Sequence, residues 1–379
     1  MTRVEIAGVG IHPFGRFEGV TVTDMGVQAV RDALRDAGDP AFTAAFCGTA
    51  YSGVAAGHKV LGAIARTGMP IVDVEAGCAS GAAALQLAAG AIRAGQHESV
   101  LVFGIEKMPK GIIRSSFFEP WREQAGLAAT PSYFALRAQR LLREHGLTKD
   151  HLAQVCVKNR AHGVHNPHAM FRKPVTAEEV LASRVVCEPL HLWMLCSPNE
   201  GAAAVVLRAA PDGAPANDRP VELRAAVLRS HLPGSVLGEA TPMAGIDDTD
   251  ITPPSTLAAQ QAYEEAGIAP DDLDLVECQD TDAARELLAW HELGLCEAGE
   301  QAALLASGAH ALGGRRPVNP SGGLLSKGEP LGASALGQVV ELVTQLRGQA
   351  GERQIEGARV GLAHTVGRGA NASVVIVSK

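Results

Sequence analysis

Asp73-Val74-Glu75-Ala76-Gly77-Cys78-Ala79-Ser80-Gly81-Ala82-Ala83-Ala84-Leu85 is the stretch on which the reading of this chain turns. The β-branched run 71–74 predicts a strand, the glycine a tight turn, and the small residues over 79–94, stopped by Gly95, a helix. Cys78 therefore opens a helix. The positive end of the helix dipole favours a thiolate there, and the first backbone N–H groups can bind an oxyanion. A small thiol buried at a helix start fits the segment equally well.

The same alternation extends outward on both sides. Strands are predicted over 4–9, 100–104 and 201–207, and a helix over 23–37 capped by Thr23 and ended by Gly38. Strand, helix, strand is α/β architecture. Residues 107–175, rich in polar, His and Pro residues, read as a helical and looped insertion above the first core. The segment 211–220 is the best linker in the chain. The pattern then restarts, with strands over 221–227, 273–278, 360–362 and 373–377 and helices over 254–266 and 333–346. Two halves follow: 1–210, carrying the insertion, and 220–379.

Composition bounds what such a chain does. Its 379 residues exceed one small domain. With 46% hydrophobic and 20% charged residues it can bury a large core. The net charge of −8, the lack of any Lys/Arg run longer than a pair such as Arg315-Arg316 and an aromatic share of 4% argue against nucleic acid. No apolar stretch reaches a membrane span, and the N-terminus reads as a strand rather than a signal peptide. Seven cysteines, an odd number with no Cys-x-x-Cys, predict reduced thiols in the cytoplasm and no structural zinc.

Glu75-Ala-Gly-Cys78-Ala-Ser-Gly, Gly104-Ile-Glu-Lys-Met108, Cys196-Ser-Pro-Asn-Glu-Gly-Ala-Ala-Ala204, Asn319-Pro-Ser-Gly-Gly323, Lys327-Gly-Glu-Pro-Leu-Gly332 and His364-Thr-Val-Gly367 occur in this order. Together they resemble the thiolase superfamily, in particular the sterol-carrier-protein-X type, over essentially the whole chain. The resemblance implies a five-layered αβαβα fold of two duplicated halves, at least dimeric, with no appended sterol-carrier domain. It implies Cys78 as the nucleophile taking an acyl group from an acyl-CoA or acyl-carrier thioester, with coenzyme A as part of the substrate and no bound cofactor or metal. It places Gln279, Asp280, Asn319 and Gly367 at the cleft or oxyanion site.

Two positions depart from that pattern. Where the family has Gly-His-Pro, this chain has Gly328-Glu329-Pro330; where it has His-Asp-Cys-Phe, this chain has Gln279-Asp280-Thr281-Asp282. His364 stands where other thiolases carry a second Cys. Glu329 is then the candidate base for carbanion formation and His364 the candidate partner of the thiol; a merely solvated Glu329 is the plain alternative. Specialised Claisen-type C-acylation in a biosynthetic pathway fits these changes better than degradative thiolysis. The rivals are an aldol lyase acting on a CoA ester without the cysteine, and a non-catalytic subunit. Several thiolase-like proteins work with a small zinc-containing OB-fold protein, which makes such a partner an expectation here.

His162, His165 and His168 have the spacing of a loop rather than a metal site, in an Asn159…Asn166-Pro segment that lines the cleft in the resembled proteins. Cys196 and Cys278 read as core thiols. Lys107, Arg114 and Arg122 are candidates for CoA phosphates or simply solvated charges.

Overall fold

The computed structural model of the chain describes residues 2–111, 124, 130–210, 221–233, 251–367 and 371–379. The first half runs β1 (Val4–Gly15), α1 (Val22–Asp36), β2 (Ala44–Gly48), α2 (Ala56–Ala63), β3 (Ile71–Val74), α3 (Ser80–Arg93), β4 (Ser99–Lys107), α4 (Thr130–Glu144), α5 (Lys149–Gly163), α6 (Ala177–Ala182), β5 (Val185–Cys187), β6 (Leu190–His191) and β7 (Glu200–Ala209). The second runs β8 (Val221–Ser230), α7 (Pro254–Ala266), β9 (Leu275–Cys278), α8 (Ala283–Glu292), α9 (Gln301–Ser307), α10 (Gly323–Lys327), α11 (Leu331–Leu346), β10 (Val360–Gly367) and β11 (Asn371–Ser378). The linker 211–220 and the candidates Arg114 and Arg122 lie outside the described residues.

Alternation along the strands builds the layers. On β7, Ala202, Ala204 and Val206 face a core shared with α1 and α2, while Ala203, Val205 and Leu207 face a second core shared with α3 and α11. On β11, Val375 and Val377 face that same middle core, while Ala372, Val374 and Ile376 face α7 and α8. The order is helices, half-sheet, α3 with α11, half-sheet, helices: the five-layered αβαβα thiolase fold.

The strand order β3-β2-β4-β7-β1-β8-β11-β10-β9 shows the duplication. In the first half β1, β7 and β4 are antiparallel and β4, β2 and β3 parallel; in the second, β8, β11 and β10 are antiparallel and β10 and β9 parallel. In the place of β3 the second half has the parallel bridge Val276–Val318. The half-sheets meet at Glu5–Glu222 and Ile6–Val221 of β1 and β8.

This symmetry positions the site. β3 leads through Cys78 into α3; Val318 leads through Glu329 into α11. Glycine lets backbone meet backbone where α11 begins, both on α3, where a Cβ on Gly81 would stand 3.0 Å from Gly332 O, and on β4. A Cβ on Gly104 would stand 2.1 Å from Gly332 O, closer than any packed side chain tolerates. Glu106, buried on β4, ties the join together by accepting from the N–H groups of Ala50 (2.9 Å) and Gly332 (3.2 Å).

Most strands run longer than the sequence reading, β1 on to Gly15 and β8 to Ser230, and two boundaries have a plain cause. Thr21, not Thr23, caps α1, because Asp24 lies three residues on and closes a reciprocal capping box with it. β10 runs to Gly367, since the polar His364 and Thr365 still pair with β9 or β11.

Candidate active site

A cavity of about 680 Å³ opens where α3 and α11 begin, roofed by α4, α5 and the segment around β5 and β6. Cys78, Cys196, Gln279, Glu329, Leu331 and Val366 line its inner end. No histidine lines it among the described residues.

Cys78 sits on the elbow that the sequence predicts. Gly77 has φ +61°, and Ser80 Oγ accepts from Ala76 N at 2.9 Å and donates to Gly77 O at 2.6 Å, fixing the turn. The thiol is buried against Met108 and Leu331, so it faces the start of α11.

Glu329 is not solvated: it is 4% exposed. Its Oε1 accepts from Gln279 Nε2 at 2.8 Å, and its Oε2 from Cys196 Sγ at 3.2 Å. The Gln279 carbonyl in turn accepts from Val366 N, which orients the amide so that its NH₂ points at Glu329. The backbone is clamped too: Glu329 N donates to Ser197 O at 2.9 Å and Asn199 Nδ2 to Lys327 O at 2.8 Å. Burial, then the nearby Glu329, push the Cys196 thiol well above its ordinary pKa. Cys196 is therefore a neutral donor to a carboxylate.

Cys196 is the residue that sequence reasoning misplaced: it lines the cavity beside Cys78 rather than filling the core. The signal was its position at the head of the Cys-Ser-Pro-Asn-Glu-Gly motif. Cys278 is buried in the core.

His364 stands apart. Its Nε2 meets Ser255 Oγ of α7 at 3.0 Å, and its Nδ1 has no hydrogen-bond partner among the described residues. Burial, then Arg285, hold its pKa well below the usual imidazole value. Val366, two residues along the same face of β10, is the one that reaches the cavity.

The other cleft candidates lie beneath. Asp280 accepts from Asn159 Nδ2 (2.8 Å) and from the N–H groups of Leu324 (2.6 Å) and Leu325 (3.1 Å). Burial, then Glu286, raise its pKa well above the usual carboxylate range. Asn319, at φ +56°, accepts from Cys278 N at 2.9 Å and donates to Glu286 at 2.7 Å. Gly367 lies on the elbow itself, where a Cβ would meet Ala76 O at 2.2 Å.

Asn159 and Asn166 brace this floor, with Asn166 Nδ2 on Ser321 O at 2.9 Å, while Arg160 of the same segment lines the cavity. His162 ends α5 and does not lie on a loop; its ring bridges Asn319 O and Leu312 N, each at 2.9 Å. Phe171, beyond that segment, lines the cavity too, and no motif marked it. Lys107 is held by the carbonyls of Phe17 and Val20 and by Glu200.

Two half-sheets around a helix pair, each helix opening on a chemically active side chain at one cavity, define a thiolase-type protein. The Thiolase, N-terminal domain model matches residues 4–210 and the Thiolase C-terminal domain-like model residues 239–379. The chain belongs to the thiolase family. It is 36% identical to the acetyl-CoA acetyltransferase of Methanothermobacter thermautotrophicus, over 100% of both chains. It is 34% identical to sterol carrier protein 2 of Bos taurus, over 97% of this chain and 70% of that one. A solved structure, the Ltp2-ChsH2(DUF35) aldolase, superposes with a TM-score of 0.85 at 24% identity, over 99% of this chain and 98% of that one; at that identity the likeness is one of fold.

Proposed function

We propose that this protein is an acyltransferase that loads an acyl group onto Cys78 and transfers it to a carbon acceptor. One observation carries the reading: Glu329, buried at the position of the missing imidazole, opens on the same cavity as Cys78. Cys78 Sγ attacks the thioester carbonyl; the bond to the coenzyme A sulfur breaks and that thiolate takes the thiol proton. Glu329 then removes a proton from the carbon next to the acceptor's carbonyl. The carbanion attacks the Cys78 thioester, a carbon–carbon bond forms, and the cysteine leaves. Donors from Gln279 and Cys196 hold the Glu329 carboxyl group in place at the cavity. His364 takes no part, because both ring nitrogens are turned into the core.

A second reading rests on the imidazole-free lining. A carboxylate base serves equally to take a hydroxyl proton in an aldol cleavage of a CoA ester, with Cys78 idle. Intact-protein mass spectrometry after incubation with a panel of acyl thioesters separates the two: a stable mass gain on Cys78 supports acyl transfer, and cleavage activity without it supports the lyase.

We also infer a dimer built on the free edge of β3, where Val72 is 43% exposed. The second component in the name of the aldolase neighbour supports a partner protein as well.

A further inference from the structure

Three of the arginines lining the cavity are held by acceptors of their own. Arg137 pairs with Asp282 and Arg285 with Glu292; Arg16 meets Glu200 and the carbonyls of Met108, Pro109 and Pro198. Arg160 of α5 differs. It is 9% exposed, lines the cavity, and has no acidic or carbonyl acceptor among the described residues. One face of its guanidinium is covered by the Phe171 ring, 4.2 Å from the centroid. Burial pulls its pKa down, and the Cys156 thiol offsets this without supplying a counter-ion. A desolvated guanidinium keeps its charge, so its in-plane N–H fork is left to whatever enters the cavity. The walls around that fork, Phe134, Phe171, Leu192, Trp193 and Leu195, are apolar.

We propose that Arg160 binds an oxyanion carried by the substrate, namely a carboxylate on its acyl or acceptor half, so that the preferred thioester is a carboxy-acyl thioester with an apolar body. This rests on reading the cavity as a thioester site. A fork stacked on an aromatic ring matches the planar carboxylate in two parallel hydrogen bonds. The other source of an oxyanion is a phosphate of coenzyme A, and the test separates the two.

Equilibrium binding is measured on the Cys78→Ala protein, which prevents turnover, with glutaryl-, adipyl- and suberyl-CoA against valeryl-, hexanoyl- and octanoyl-CoA and against free coenzyme A. A charge-assisted pair predicts at least one carboxy-acyl ester binding about ten-fold or more tighter than its uncharged counterpart. Adding Arg160→Gln should erase that preference and leave free coenzyme A unchanged; Arg160→Lys, which keeps the charge and loses the fork, should retain part of it. Equal binding of charged and uncharged esters by the Arg160 protein overturns the proposal, and needs no second variant to fold. Weakening of free coenzyme A by Arg160→Gln assigns the fork to a phosphate and also overturns it. If no ester and no coenzyme A binds, the thioester reading itself fails and the proposal falls with it.

Discussion

Glu329 differs from an exposed glutamate in the two donors that hold it, Gln279 and Cys196, and in its place at the start of α11. Replacing it by Gln keeps the size and removes the base. Glu329→Gln should leave acylation of Cys78 within a few-fold of wild type, and slow transfer of the bound acyl group to a carbon acceptor by about a hundred-fold or more. Mass spectrometry follows the first step and product formation the second; equal rates in both steps would strip Glu329 of its role. Cys78 and Glu329 were both legible in the sequence, since each sits in a short motif at a helix start. Cys196 was not, because a thiol in an apolar neighbourhood reads the same whether it fills a core or faces a cavity. The depth of His364 was not legible, for a geometric reason. The two-residue period of β10 puts it on the face of Val366 but about 7 Å deeper, under Ser255 of α7. Its motif gave its position along the chain and not its depth.

At the level of elements, the packing of the start of α11 on β4 and α3 carries the geometry of the site, and it depends on bare backbone at Gly104 of β4 and Gly332 of α11. Gly104→Ala should cost about 1–3 kcal/mol or more, as overpacking does, and should lower acyl loading because the start of α11 is pushed off β4. Gly62→Ala in α2, where nothing lies within 4 Å, should instead gain about 0.5–1 kcal/mol. Urea unfolding of both variants checks the contrast; a harmless Gly104→Ala would mean that α11 can move off β4 without loss. Helix α7 was legible end to end, because Pro254 opens it and Gly267 at φ +65° closes it. β2 was missed, since Ala-Ala-Phe-Cys-Gly has little β-branching and becomes a strand only by pairing with β3 and β4. The central placement of α11 had a visible cause: every residue but Thr344 is buried, and the sequence is apolar nearly all round.

For the whole molecule, the pattern of strands and helices restarting after 211–220 pointed to two halves. It did not show that their equivalent turns converge, because convergence comes from the pairing of half-sheets through β1 and β8 and not from any local signal. The free edge of β3 bears on assembly. Light scattering should find a dimer at micromolar concentration, and Val72→Lys on that edge should shift it to monomer while the circular dichroism spectrum stays unchanged; a wild-type monomer would contradict the inferred dimer. The central claim, acyl transfer through Cys78, is tested most directly by intact-protein mass spectrometry with peptide mapping after exposure to the thioester panel. The account predicts a mass gain equal to the acyl group, located on Cys78 and absent from Cys78→Ala. A protein that turns over a CoA ester with no acyl group ever found on Cys78 would contradict it.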